Sequence, residues 1–378
     1  MKKSKIIELV NNEKEKAVVV TVSFSTLKNE DKEYNRKLVE IKRLCYSAEC
    51  EVVGEFHQNI KKPNVRFLIG EGKLAEIKNF IEENEVDVVI VDHPLTGSQQ
   101  RNLSNELGVK VLDRILLIID IFARNSKTNE GKKEVKLAQN KYLLTRLSSM
   151  QGSAGRFGGA GVGMRGPGET KLELDKRKLE QEIVELEKEM KKIKQKRQQN
   201  RIARIKSGIK RVAVVGYTNA GKSTLLNSFT NDIIYADDKL FATLDTTSRR
   251  MYLEDGNYCI LTDTVGFISD IPHELVESFS ATLEEAVDAE LILHVVDVAD
   301  PFYKDNIEIT NKVLDDLNAT NNRILVLNKS ELLTKPMLMN ENEIFISAKH
   351  KKGLDNLKKL IIEKLKWNSY IKVYLIWN

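Results

Sequence analysis

Apolar residues in this chain alternate between two patterns. Short, nearly unbroken runs (Ala17-Val18-Val19-Val20-Thr21-Val22, Glu51-Val52-Val53-Gly54 and Val86-Asp87-Val88-Val89-Ile90-Val91) are separated by stretches with helical spacing near Tyr34–Ser47 and Leu74–Glu83. Runs of this length read as buried strands, and the helices between them argue for a small parallel α/β unit over residues 1–125. Gly70-Glu71-Gly72-Lys73 reads as a tight strand-to-helix turn, with a second phosphate loop as the alternative.

From Gly131 to Met150 the spacing turns helical, and Val135, Ala138, Tyr142, Leu143, Leu147 and Met150 form a stripe that needs a covering partner. The next eighteen residues, Gln151–Gly168, contain eight glycines, a density that predicts a loop. Arg156, Arg165 and Pro167 distinguish it from a plain Gly/Ser spacer. A flexible linker and a basic loop that approaches a phosphate backbone are equal readings at this point. A second long helix is expected over Glu169–Lys206, where Leu172, Leu179, Leu186 and Ile193 recur every seven residues and Ile183 and Met190 fill the alternate site. The short connection predicts an antiparallel helical hairpin, a coiled coil closed within one chain, over residues 126–207. A monomer is therefore the expectation.

A third region, 208–368, repeats the strand and helix alternation and carries the strongest chemical signal. Gly216-Tyr217-Thr218-Asn219-Ala220-Gly221-Lys222-Ser223 matches the phosphate-binding P-loop, with the strand pattern Val212–Val215 before it and a helix from Thr224 after it. Glycines let backbone N–H groups wrap the phosphates, Lys222 neutralises them, and Ser223 offers a hydroxyl to Mg2+. Phe241-Ala242-Thr243-Leu244-Asp245-Thr246-Thr247 stands where a switch segment belongs, and Thr243 offers a second hydroxyl to the metal. The strand Tyr258–Thr262 delivers Asp263-Thr264-Val265-Gly266. Asp263 suits the Mg2+ shell and Gly266 can present its N–H to the γ-phosphate. Strand runs Leu291–Asp297, Arg323–Leu327 and Ile344–Ile346 follow, the last two delivering Asn328-Lys329-Ser330-Glu331 and Ser347-Ala348-Lys349. Loops at successive strand ends meet at one edge of a doubly wound, mostly parallel sheet. Lys222, Thr243 and Gly266 are the candidate catalytic residues, and Ser223, Thr243 and Asp263 the candidate metal ligands.

Composition changes this picture in one place. The chain has 60 Lys and Arg against 55 Asp and Glu, so its net charge of +5 decides little. The placement of charge decides more: Met190–Arg211 contains ten basic residues and no acid. A basic helix without interleaved aromatics favours contact with a polyanion backbone over stacking on single-stranded bases. Three scattered cysteines and five scattered histidines give neither a disulfide framework nor a metal set. No apolar run approaches bilayer length and no h-region follows the N-terminal lysines, so a cytoplasmic protein without a membrane span is expected. Leu354–Trp367 reads as a closing helix, and 369–378 as a short apolar tail.

Together these motifs resemble the G motifs of translation-factor-related GTPases. More specifically, Gly159-Ala160-Gly161-Val162-Gly163-Met164-Arg165-Gly166-Pro167-Gly168-Glu169-Thr170-Lys171-Leu172-Glu173, Leu240–Asp245 and Asp263–Phe267 resemble the HflX family of ribosome-associated GTPases. Ser98–Leu103 and Ile119–Ala123 extend the resemblance to nearly the whole chain. It implies GTP and GDP as ligands, Mg2+-dependent hydrolysis, and GTP-dependent binding to the large ribosomal subunit and its RNA through the hairpin and glycine loop. In some members it also implies splitting of ribosomes.

Two residues depart from common GTPase patterns. Phe267 stands where Ras-like enzymes place a water-orienting glutamine, so intrinsic hydrolysis is expected to be slow and completed by a partner. Glu331 replaces the aspartate that reads guanine, which leaves relaxed discrimination between GTP and ATP as an open alternative. A nucleotide-gated RNA-binding module with incidental hydrolysis is the rival reading.

Overall fold

The computed structural model describes residues 14–24, 30–157, 167–206, 208–229, 239–241, 247–253, 258–269, 285–319, 321–333 and 342–365. The chain divides into two compact units, Met1–Ile121 with Leu143–Leu172, and Phe122–Tyr142 with Glu173–Asn378.

The first unit contains β1 (Glu15–Phe24), α1 (Glu30–Ser47), β2 (Cys50–Ile60), α2 (Glu71–Asn84), β3 (Val88–Val91), α3 (Gly97–Leu107), β4 (Lys110–Asp113) and the start of α4 (Arg114–Asn125). Its four strands are all parallel, in the order β2-β1-β3-β4. The unbroken apolar runs are explained by this arrangement: Val18, Val20, Val89, Val91 and Val111 share one core with Ile77 of α2 and Leu103 of α3. Such strands are covered on both faces and cannot alternate with polar residues. Gly70 is the N-cap of α2 with an ordinary extended backbone at φ −73°, and its N–H donates to Gln58 Oε1 at 2.9 Å. The start of α4 is set by Asp113, which accepts the Leu116 N–H at 2.9 Å and the Leu95 N–H at 3.1 Å. One buried carboxylate thus caps a helix and ties down the loop before α3.

Helices α5 (Asn129–Phe157) and α6 (Pro167–Lys206) run through both units. Within the second unit they pair antiparallel: Glu130 meets Arg197, Lys133 meets Glu189 and Asn140 meets Glu182. On α6 the expected seam is the least exposed line, with Ile183 buried and Leu179, Leu186, Met190 and Ile193 half-buried. The expected loop over 151–168 is corrected at both ends, because α5 continues to Phe157 and α6 begins at Pro167. Glycine inside a helix costs only about 1 kcal/mol relative to alanine, so a helix already propagating absorbs Gly152 and Gly155. Proline at the first helical position forfeits no hydrogen bond. The rest of the glycine loop, 158–166, lies outside the described residues, as does the tail 369–378.

The second unit continues with β5 (Arg211–Gly216), α7 (Lys222–Phe229), β6 (Thr247–Tyr252), β7 (Tyr258–Asp263), β8 (Leu291–Asp297), α8 (Tyr303–Asp316), β9 (Asn322–Asn328), β10 (Glu343–Phe345) and α9 (Leu354–Lys364). The sheet order is β10-β9-β8-β5-β7-β6, parallel except for β6, which runs antiparallel to β7. Alternation along β5 divides its residues between two cores, Val212 and Val214 on one face, Ala213 and Val215 on the other. At the carboxyl edge of this sheet the candidate loops come together.

Candidate functional site

The loop leaving β5 has a backbone suited to phosphate. Asn219 and Gly221 are left-handed, at φ 60° and 90°, and a side chain on Gly221 would strike the Asn328 amide. Backbone of this alternating handedness lets successive N–H groups converge on an anion, here at the start of α7. Lys222 is the first residue of α7 and is buried. Its Nζ donates to the carbonyls of Gly216 at 3.1 Å and Tyr217 at 2.9 Å. Burial pulls its pKa from 10.5 down to about 8, with Asp263 acting in the opposite direction.

Gly266 lies directly against this ammonium group. A Cβ at position 266 would come within 2.9 Å of Lys222 Nζ and 2.8 Å of Thr218 Cγ2. Only glycine brings the backbone this near the cation.

Ser223 Oγ donates to Asp263 Oδ2 at 2.7 Å, linking α7 to the end of β7. A hydroxyl and a carboxylate side by side are hard oxygen donors and fit Mg2+ by their chemistry. Thr264, fully buried, donates from Oγ1 to the Val214 carbonyl at 2.9 Å, and Val265 is buried beside it. Two backbone bonds then staple this segment to the P-loop: the Thr218 N–H donates to Phe267 O at 2.7 Å and the Phe267 N–H to Gly216 O at 3.1 Å. The Phe267 ring is 3% exposed and packs with Ala213, Val215 and Ile292 in the core.

On the other side of the P-loop, Asn328 is a buried brace. Its Nδ2 donates to Ala220 O at 2.9 Å, and its Oδ1 accepts the Ala348 N–H at 3.0 Å. Lys329 stands at φ 61° with Nζ 2.7 Å from Asp297 Oδ2. Glu331 is exposed in the 3-10 turn Ser330–Leu332. Ser347 is buried and its Oγ accepts the His350 N–H at 3.2 Å, while Lys349 is exposed.

The structure therefore brings together residues 216–223 with Asp263, Thr264, Val265, Gly266, Asn328 and Ala348, and Thr224 lies half-buried on α7. Phe241 is buried, its ring against Phe122 and its carbonyl accepting from Asn125. Ala242 and Thr243 lie outside the described residues. Sequence reasoning missed Asp297, the ion-pair partner of Lys329, although it ends a strand in the way Asp263 does. It also gave no role to Phe122, which it named only within the Ile119–Ala123 resemblance, or to Asn125, for which no local pattern gave a signal. Among the described residues no cluster of His, Cys, Asp and Glu forms a metal site, and no helix is long and apolar enough to cross a membrane.

Three family models match consecutive stretches of the chain: "GTP-binding GTPase N-terminal" over 35–123, "GTP-binding GTPase Middle Region" over 125–204 and "50S ribosome-binding GTPase" over 211–329. The GTPase HflX of Caldanaerobacter subterraneus is 47% identical over 95% of this chain and 82% of its own length. The GTPase HflX of Escherichia coli K12 is 40% identical over 93% of this chain and 83% of its own. Among solved structures, the GDP complex of SsGBP superimposes with a TM-score of 0.51 at 25% identity, covering 93% of this chain and 98% of that one. With a P-loop, a paired serine and aspartate and a braced asparagine in one place, and relatives this similar over most of their own length, the chain belongs to the HflX family of GTPases, binding guanine nucleotide and hydrolysing GTP.

Proposed function

We propose that this GTPase is a nucleotide-gated switch that binds the large ribosomal subunit and its RNA in the GTP state, acting as a cytoplasmic monomer in the dissociation or rescue of ribosomes. The observation that carries this reading is the distribution of charge on α6. Its acidic stretch faces α5 through Glu182 and Glu189, whereas Lys191, Lys192, Lys194 and Lys196 beyond it are exposed. This basic end leads through Arg211 into β5, whose other end is the P-loop. The description of the matching family model, a 50S ribosome-binding GTPase, agrees with it.

Ser223, Asp263 and Thr243 would hold Mg2+, which would neutralise negative charge that develops during phosphoryl transfer. Lys222 and the Gly266 N–H serve the outer phosphates. Asn328, Lys329, Glu331 and the Ser347-Ala348-Lys349 loop read the base. The buried Phe267 ring supports slow intrinsic hydrolysis, with ribosome docking ordering the switches.

Sedimentation with ribosomal subunits across a salt series tests the reading. Binding is expected with a non-hydrolysable GTP analogue, weaker with GDP, and lost as salt rises. Absence of co-sedimentation under every nucleotide would refute it.

A further inference from the structure

We propose that Asp297 is a positioning residue for guanine recognition, pinning Lys329 and with it the turn that presents Glu331. Asp297 ends β8 beside Asn328, the last residue of β9, and the Val298 N–H donates to the Asn328 carbonyl at 3.0 Å. The two oxygens of its carboxylate are divided. Oδ1 accepts the Ala299 N–H at 3.1 Å, which folds the chain leaving β8, and Oδ2 lies 2.7 Å from Lys329 Nζ. At this distance the contact is a charge-assisted hydrogen bond. The Asp297 and Lys329 side chains are 22% and 25% exposed, so water and salt screen the pair only in part.

Lys329 is the N-cap of the 3-10 turn Ser330–Leu332, and its backbone is left-handed at φ 61°, an uncommon conformation for a residue with a side chain. It persists where the surroundings hold it. The Ser330 N–H donates at 3.1 Å to the carbonyl of Ile346, which follows β10, and the Leu332 N–H returns to the Lys329 carbonyl at 3.0 Å. Asp297 holds the side chain from β8, on the opposite side of β9. Glu331 lies inside that turn, so the residue at the guanine-reading position takes its place from the one that Asp297 pins. A lysine stem left unpinned would have to be ordered at each binding event, and immobilising one such long side chain costs roughly two- to tenfold in affinity. Asp297 acts through Lys329 and not on the nucleotide. This role rests on Lys329 and Glu331 reading the base, and the variants below separate the two ideas.

Affinities for GDP and ADP, by competition with one fluorescent nucleotide, and urea midpoints would be measured for Asp297→Asn, Asp297→Ala, Lys329→Met and the double variant Asp297→Asn with Lys329→Met. ADP shares the ribose and diphosphate but not the guanine edge. Asp297→Asn keeps an acceptor for the Ala299 N–H and loses the charge that faces Lys329. It is expected to weaken GDP binding roughly two- to tenfold while ADP binding stays within about twofold. Asp297→Ala should show the same loss of guanine preference together with a lower urea midpoint, because the turn after β8 opens as well. Lys329→Met should weaken GDP binding further, and adding Asp297→Asn to it should change the GDP-to-ADP ratio no more. A ratio equal to that of the parent protein in both Asp297 variants would overturn the positioning role. Equal weakening of GDP and ADP would overturn it too, by showing a merely structural residue, and a fully additive loss in the double variant would overturn the route through Lys329. If Lys329→Met itself keeps the parent ratio, the base-reading role of Lys329 fails, and the positioning role with it.

Discussion

The side chain of Asn328 donates to the Ala220 carbonyl at 2.9 Å, so the end of β9 is fastened directly to the loop that leaves β5. The same amide accepts the Ala348 N–H at 3.0 Å. Both partners are buried. In Asn328→Ala a buried carbonyl and a buried N–H lose their partners together, and each such group costs about 1–3 kcal/mol. The variant is expected to unfold at lower urea concentration and to bind GDP more weakly, with ATP affected less than GDP because the guanine contact is lost as well. Urea titration and competition between the two nucleotides for one fluorescent analogue check this. Unchanged stability would show that the two bonds contribute nothing net.

A second expectation concerns pH. Lys222 is held at a pKa of about 8 by burial, below the ordinary 10.5. Below pH 8 both folded and unfolded chains carry this proton, and the folded state bears the cost of a buried cation. As pH rises from about 8 toward 10.5 the folded protein releases the proton first, so this destabilising contribution fades. Bound phosphate favours the ammonium form and raises the pKa again. Nucleotide binding above pH 8 should therefore take up a proton, and GDP affinity should fall as pH rises from 8 to 9.5. Calorimetry in buffers of different ionisation enthalpy measures the uptake, and Lys222→Met should abolish it. Proton-neutral binding at pH 9 in the parent protein would contradict the assignment.

Much of this was legible in the sequence because the P-loop, Asp263–Gly266 and Asn328-Lys329 are local patterns whose residues are neighbours along the chain. The strands that carry them are buried on both faces, which leaves unbroken apolar runs such as Val212–Val215. β6 escaped detection for the opposite reason. Thr247-Ser248-Arg249-Arg250-Met251-Tyr252 is mostly polar, and it is a strand because it borders β7 antiparallel, with Ser248 and Thr262 hydroxyls 2.9 Å apart. The α3 capping box, Thr96 with Gln99, lies outside any apolar run and went unread in the sequence. The contacts of Asn125 with Phe241 span 116 residues, a separation at which one sequence carries no pairing information.

In the first unit, Arg114 is buried between two carboxylates, 2.7 Å from Asp92 Oδ1 and 3.1 Å from Glu40 Oε1. Burial pushes Asp92 up to about 6, and Arg114 opposes the shift. Removing the guanidinium in Arg114→Met leaves two buried acids facing each other. Breaking such a cluster costs about 3–5 kcal/mol where the acids are ionised. An acid whose folded pKa exceeds its unfolded value destabilises the fold increasingly as pH rises through that folded pKa. The deficit of Arg114→Met should thus be larger at pH 8 than at pH 5, and the further change Asp92→Asn should recover part of it at pH 8. Urea midpoints of the three proteins at both pH values decide the matter, and a pH-independent deficit would count against the buried-acid account.

The last expectation concerns Phe267, which occupies the position of the water-orienting glutamine in Ras-like enzymes. A glutamine introduced there would be expected to accelerate hydrolysis if the side chain faced the γ-phosphate. The Phe267 ring instead packs under the sheet with Ala213, Val215 and Ile292, while its backbone N–H and carbonyl bond to the P-loop. Phe267→Gln would place an amide among apolar neighbours and remove a filled volume, for a loss of roughly 3 kcal/mol. Intrinsic turnover should stay flat or fall, since any amide that swings outward must also empty the core beneath it. Single-turnover hydrolysis without ribosomes, beside a urea titration of the same preparation, provides the check. A tenfold acceleration at unchanged stability would mean that residue 267 faces the reacting phosphate, and the buried packing of its ring would then not explain how it acts in hydrolysis.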